Sequence, residues 1–365
     1  MHLTSHQYWS SSGHTFLMSY NRKVAHRLFY LPLFFKMTFC SGRCTAALLL
    51  VLSPVPIAYL IYLERAVPST HVISYHSSGF LRECAKWDDV GRRFLVSFMD
   101  GGGIGEVVIR DSDSDDSEVL EEVILVKDVD IAGNASAGIV IDRDRNRLLV
   151  AIGDLVGNKY SALAAYDLST WHRIFLTELS GYSKEISFAD DVAFDAQGNT
   201  YVTDAKGSKI WKVDVNGKLV STIKSPLFTP PGWFINLVAL NGIVYHPNGF
   251  LIVIHTFSGL LYKIDLTEGD DSNKVNVIEV TGGTLRFGDG IELLSPTKIV
   301  IAGNPSTRLV ESSDEWRTAS VTGLFRSGMF HRLVSAATVK EGRIYLTHIV
   351  GFGSKKRHIL VEAVF

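Results

Sequence analysis

The sequence predicts an all-β chain: a six-bladed β-propeller of TolB-like type, closed by pairing of its N- and C-terminal strands and preceded by a hydrophobic leader. Three observations predict it. A unit of short apolar strands split by Gly, Asp and Asn recurs from about residue 70 to the end. Its anchor residues Glu83, Ala137, Asp190, Asn241, Asp289 and Ala336 are 54, 53, 51, 48 and 47 residues apart, a propeller period. No amphipathic helix of the length that an α/β fold requires is seen after residue 70.

The repeats are read in order. The first is "ECAKWDDVGRRFLVSFMDGGGIGEVVI" from Glu83, and the second "SAGIVIDRDRNRLLVAIGD" from Ser136. The third, "FADDVAFDAQGNTYVTDAKGSKIWKVDVNGKLVSTI" from Phe188, shows the unit most completely: inner strand, polar turn, strongly apolar strand, turn, strand. "LNGIVYHPNGFLIVIH" from Leu240 and "GDGIELLSPTKIVIAG" from Gly288 open the fourth and fifth. The sixth, from Ser335, supplies three clear strands before the chain stops. The spare strand "THVISYH" at Thr70–His76 is therefore expected to pair as the outer strand of the last blade, removing free edges. A short helical turn is expected between Asp314 and Phe325, and the acidic run from Asp111 to Glu122 reads as a solvated loop that fails the EF-hand spacing.

The chain divides at residue 66 into a leader, 1–66, and the propeller, 67–365. The stretch 44–63, "CTAALLLVLSPVPIAYLIYL", has no charge and is long enough to cross a bilayer, with Pro54 and Pro56 as expected kinks. It reads as an uncleaved signal-anchor with a lumenal propeller, as a cleaved secretory signal, or as a buried soluble helix. A start at Met37 would give a compact targeting segment. The first two readings place the body in the secretory pathway (endoplasmic reticulum, vacuole or extracellular space). The sequon at Asn134 is compatible with that.

A net charge of -2 gives no reason to expect nucleic acid, whose binders usually carry a basic face or stripe. Three cysteines, of which Cys84 stands alone in the body, imply no disulfide framework, and Cys84 reads as a small buried residue. Turn residues such as Asp195, Gly198 and Asn199 need no function.

Function shows at the anchors. In a propeller the first residues of the inner strands converge at one mouth of the central channel. Here they are Glu, Ala, Asp, Asn, Asp and Ala. Like carboxylates repel unless a cation is present, and an all-oxygen set suits Ca²⁺ rather than zinc. Glu83, Asp190, Asn241 and Asp289 are the predicted ligands. The alternative is four ordinary strand-start residues bonded to backbone.

Four local patterns then resemble the calcium-dependent propellers of the gluconolactonase, senescence-marker-protein and strictosidine-synthase-like superfamily: "ECAKW", "FADDVAFDAQGNTYVTD", "LNGIVYHPNG" and "GDGIELL". The resemblance runs from about residue 70 to the end. It implies bound Ca²⁺, a small-molecule substrate, and Asp289 as general base or nucleophile of a lactone or ester hydrolase. Asp191 and Asp204 are candidates to orient a ligand or water, Asp204 alternatively closing a turn. Asp190 stands where relatives have Asn, which adds charge. His246 and His255 read as structural. Two alternatives stay open: a calcium-stabilised propeller that binds without turnover, and a strictosidine-synthase-like condensing enzyme. Glu341 is a poor fit to the latter's late catalytic Glu.

Overall fold

The computed structural model describes residues 53–65, 70–110, 119–180, 185–266, 274–328 and 330–365. Among them are 25 strands, one α-helix and two short 3-10 turns. The all-β expectation holds. Residues 56–365 belong to one compact unit.

The strands follow the alternation of apolar runs and turn residues. Several turns put Gly or Asn where the backbone must turn left-handed, as at Gly198 (φ 86°) and Gly249 (φ 87°). Antiparallel runs of four result. Arg82–Asp88, Arg93–Phe98, Ile104–Val108 and Val123–Val126 form one sheet. Ala135–Asp142, Arg147–Gly153, Ser161–Asp167 and Arg173–Glu178 form the next, and Ala189–Phe194 to Leu219–Lys224 a third. Two further runs, starting at Leu240–His246 and Gly288–Ser295, merge into an eight-stranded sheet. Their outer strands Lys274–Thr281 and Thr318–Phe325 pair in parallel.

The last sheet joins both ends of the body. Val334–Lys340, Arg343–His348 and His358–Ala363 pair in turn, and Val72–His76 then pairs antiparallel with His358–Ala363, with Val72 opposite Val361 and Tyr75 opposite His358. The expected closure is present. Each innermost strand packs on the next, and Val334–Lys340 packs on Arg82–Asp88, so the set is cyclic. This is a propeller-like arrangement.

Packing explains the pattern of burial. Second strands such as Arg147–Gly153 and Phe250–His255 are buried along their whole length, because a sheet covers each face. Outer strands such as Arg173–Glu178 are largely open. Between neighbouring sheets the apolar faces interlock: Leu149, Ala151 and Leu163 meet Val192, Val202 and Trp211. Each fully buried Leu, Ile or Val contributes about 1.5–3 kcal/mol. Cys84 is buried, as expected.

Two expectations are corrected. The end of the acidic run is not a solvated loop. Val119–Glu121 forms a strand parallel to Val72–His76, and the Glu122 side chain is buried against Arg82. Residues 111–118 lie outside the described residues. The segment from Asp314 also forms no helix. Its carboxylate accepts bonds from the N–H groups of Arg317 and Thr318, which closes a turn, and Thr318–Phe325 continues as a strand.

Pro54 opens the helix Pro54–Arg65 rather than kinking it, because the first helical position needs no intrahelical N–H. No helix among the described residues is long and apolar enough to cross a membrane, and most of the leader, residues 1–52, lies outside them. Asn134 is half-buried in the turn before Ala135–Asp142.

Candidate functional site

Every inner strand breaks register near its start. The shift falls between Arg82 and Ala85, Ser136 and Ile139, Ala189 and Val192, Leu240 and Ile243, and Gly288 and Ile291. A bulge re-aims the unpaired residues off the ladder. Those residues include Glu83, Ala137, Asp190, Asn241 and Asp289. Five of the six anchors predicted from spacing are thus bulge residues.

The sixth strand differs. Its shift lies between Val334 and Ala336, leaving Ser335 unpaired. The predicted anchor Ala336 is instead packed in the core, and the Ser335 hydroxyl donates to the Glu83 carbonyl. A one-residue bulge moves the phase by one, which a count of spacings does not show.

Close approach of the bulges explains the Asn-Gly and Asp-Gly pairs. A Cβ on Gly242 would lie 2.3 Å from the Asp289 carbonyl oxygen, and one on Gly290 would lie 2.8 Å from the Ser335 carbonyl oxygen. Each glycine lets the next inner strand come near, which draws the preceding anchor toward the axis.

Glu83, Asp190, Asn241 and Asp289 line one cavity of about 250 Å³, together with Asn158, Lys206 and an apolar wall of Leu155, Phe188, Val238 and Ile349. Glu83, Asp190 and Asn241 are only 6–7% exposed, whereas Asp289 is half-buried. Burial, with the charges of Asp289 and Asp190, pushes the Glu83 carboxyl well above its ordinary range. Burial and the charges of Asp289 and Asp191 do the same to Asp190, offset in part by Lys206. Burial and Asp191 push Asp289 up to about 7, and the Asn241 side chain pulls the other way. Glu83 Oε2 is buried with no hydrogen-bond partner. No group of three His, Cys, Asp or Glu among the described residues stands at metal-holding spacing. The set nevertheless offers oxygen donors from three acidic residues and one amide, with one orphaned carboxylate oxygen, so in chemical kind it fits a hard cation.

The neighbouring aspartates have other roles. Asp191 accepts from the N–H groups of Val192 (2.8 Å) and Ile243 (3.2 Å), tying two inner strands. It lines a different cavity of about 470 Å³ with Lys86 and Glu292, whose ion pair of 2.5 Å crosses the ring. Asp204 accepts from the N–H groups of Phe188, Lys206 and Gly207 and closes a turn. His246 stacks on Phe250 and bonds the Pro296 carbonyl, and His255 is fully buried. Glu341 sits in an exposed turn beside Lys340 and Arg92.

Neither a family model nor a curated protein sequence matches this chain. Solved structures do. The Malassezia sympodialis allergen Mala s 1 aligns with TM-score 0.65 and 18% identity, over 82% of this chain and 97% of that one. A luciferin-regenerating enzyme aligns with TM-score 0.52 and 11% identity, over 80% and 95%. A streptogramin B lyase aligns with TM-score 0.50 and 10% identity, over 80% and 97%. These are β-propeller proteins, and at such identities the likeness establishes a shared fold and no shared chemistry.

Proposed function

We propose that this chain is a six-bladed propeller acting as a calcium-dependent hydrolase of a lactone, ester or related small molecule. One observation carries the reading. Four oxygen-bearing residues from four inner strands share a single cavity, in which three carboxyl groups, two buried and one half-buried, face one lysine, Lys206. The family resemblance of the four motifs supports it. The cyclic packing of the inner strands supports the blade number.

Glu83, Asp190, Asn241 and Asp289 would hold the ion. Calcium bound there would supply Lewis-acid polarisation of a carbonyl or phosphoryl oxygen. Asp289 is the general base or nucleophile, because it is the least buried of the four. Asn241 orients the Asp289 carboxyl. Glu83 and Asp190, more deeply buried, tune charge. Phe188, Val238 and Ile349 keep bulk water from the reacting group. Delivery into the secretory pathway by the leader is part of the same proposal.

A second reading is a calcium-stabilised propeller that binds a small molecule or protein without turnover. Asp190 favours it, because a third carboxylate tightens ion binding while blunting the ion's polarising power.

The test is thermal melting of the chain with calcium and with a chelator, followed by a lactone and aryl-ester panel. Calcium should raise Tm, and hydrolysis should vanish with chelation. Asp289→Asn should lose about 100-fold or more in kcat/KM. No calcium-dependent shift in Tm sinks the metal site. A shift without hydrolysis favours the second reading.

A further inference from the structure

We propose that a file of aromatic rings, the exposed Trp233, Phe234 and Phe287 with the half-buried Phe257 among them, is the recognition platform at the mouth of the site. The substrate then carries a neutral, flat aromatic group beside its reacting bond. The reaction part rests on the hydrolase reading above; binding by the platform does not.

The rings are consecutive neighbours. Trp233 and Phe234 lie 5.9 Å apart between centroids, Phe234 and Phe257 5.5 Å, and Phe257 and Phe287 5.5 Å. Yet Trp233 is 80% exposed, Phe234 56% and Phe287 47%. An open Trp face forgoes about 1.5–3 kcal/mol of burial, and contiguous apolar exposure marks a contact site. Trp233 and Phe234 sit on the long connection 225–239, where regular structure is limited to the 3-10 turn Pro226–Phe228. Connections of that length are uncommon in compact folds unless they have a use.

The file is fastened to the site. Phe257 N–H donates to the Val238 carbonyl, and Phe287 N–H donates to Thr256 at 2.7 Å. Val238 lines the cavity of Asp289, and Phe287 lies two residues before Asp289 in sequence. Lys206, also lining that cavity, donates from Nζ to the Leu237 carbonyl at 2.7 Å and holds the connection in place.

Volume gives the reason for a platform. About 250 Å³ is below the roughly 300–1,000 Å³ of cavities that enclose a drug-sized ligand. The cavity therefore takes the reacting group, and the rest of a larger substrate lies outside, where the rings stand. A face of Trp and Phe selects a planar partner, since stacked and edge-to-face pairs add about 0.5–1.5 kcal/mol beyond area burial.

Two measurements on the full chain test this. Isothermal titration with 2-naphthol reads binding without turnover. Trp233→Ala should weaken Kd about tenfold, the equivalent of roughly 1.4 kcal/mol, and Trp233→Phe should restore most of it. The kcat/KM ratio of 2-naphthyl acetate to γ-butyrolactone should fall about tenfold in Trp233→Ala and in Phe234→Ala. Naphthol binding that is absent, or unchanged in Trp233→Ala, overturns the platform. Trp233-dependent sedimentation with phosphatidylcholine vesicles in place of naphthol binding also overturns it, in favour of a lipid surface. Trp233-dependent naphthol binding with no hydrolysis of any ester leaves the platform standing and removes the hydrolase reading alone.

Discussion

Arg82 and Glu122 form a two-pronged ion pair with both side chains almost wholly buried: Nε to Oε2 is 2.6 Å and NH2 to Oε1 is 2.9 Å. Arg82 immediately precedes Glu83, and Asp100 binds its NH1 at 2.7 Å. Burial raises the Glu122 pKa, but the Arg82 bonds and charge outweigh it, and the carboxyl lies below its ordinary range. Removing Glu122 takes both prongs from a buried guanidinium and leaves Asp100 as its remaining counter-charge. Glu122→Ala should destabilise the chain by about 2–3 kcal/mol in denaturant unfolding. A loss under about 1 kcal/mol would show that the pair does not anchor the strand.

Closure of the ring predicts strong dependence on the C-terminus. His358–Ala363 lies between Arg343–His348 and Val72–His76, and Ile359, Leu360 and Val361 are buried. Truncation before His358 exposes both neighbours and removes three buried aliphatic chains, about 4.5–9 kcal/mol at 1.5–3 kcal/mol each. That is comparable with the whole stability of an ordinary domain. The truncated chain should show no cooperative melting by calorimetry. A sharp transition near the intact Tm would contradict closure by these strands.

The crowded carboxylates predict a change of sign on one substitution. Glu83→Gln relieves repulsion with Asp190 and Asp289 when no cation is present. In chelator its Tm should rise by about 2 °C, the effect of roughly 1 kcal/mol. In calcium its Tm should fall below that of the unaltered chain, because a ligand charge is gone. Parallel scans with and without calcium check both halves. A drop in both conditions would mean that Glu83 is structural.

What the sequence revealed, and what it hid, follows from phase. Glu83, Asp190, Asn241 and Asp289 were legible because a repeating unit returns the same bulge at nearly the same spacing, and Gly242 and Gly290 mark it. Ser335 was not, since a one-residue bulge leaves no trace in the residue types around it. Glu122 was hidden in an acidic run whose partner lies 40 residues away. The file from Trp233 to Phe287 joins three connections that are separate in sequence, so only the folded chain brings its rings together.

Buried histidines predict the acid response. Burial lowers the pKa of His348 to about 3, with Arg332 adding to the effect, and lowers those of His358 and His255 to about 4. All three are fully buried. Above the unfolded value of about 6.5, folded and unfolded chains both carry neutral imidazoles, and stability from this source is complete. As pH falls, the unfolded chain takes up protons that the folded chain refuses, so stability drops. The loss begins near pH 6.5, continues as pH falls toward about 4, and for His348 runs to about 3. Calcium-saturated protein isolates this effect from the site carboxylates, whose raised values act in the opposite direction, favouring the folded chain at low pH. The urea midpoint should fall steadily from pH 6.5 to 4.5. His358 Nε2 donates to the Gly79 carbonyl, and His358→Gln can keep a donor while removing one titration. That variant should show a shallower slope over the same interval. An unchanged slope would mean that His358 titrates alike in both states.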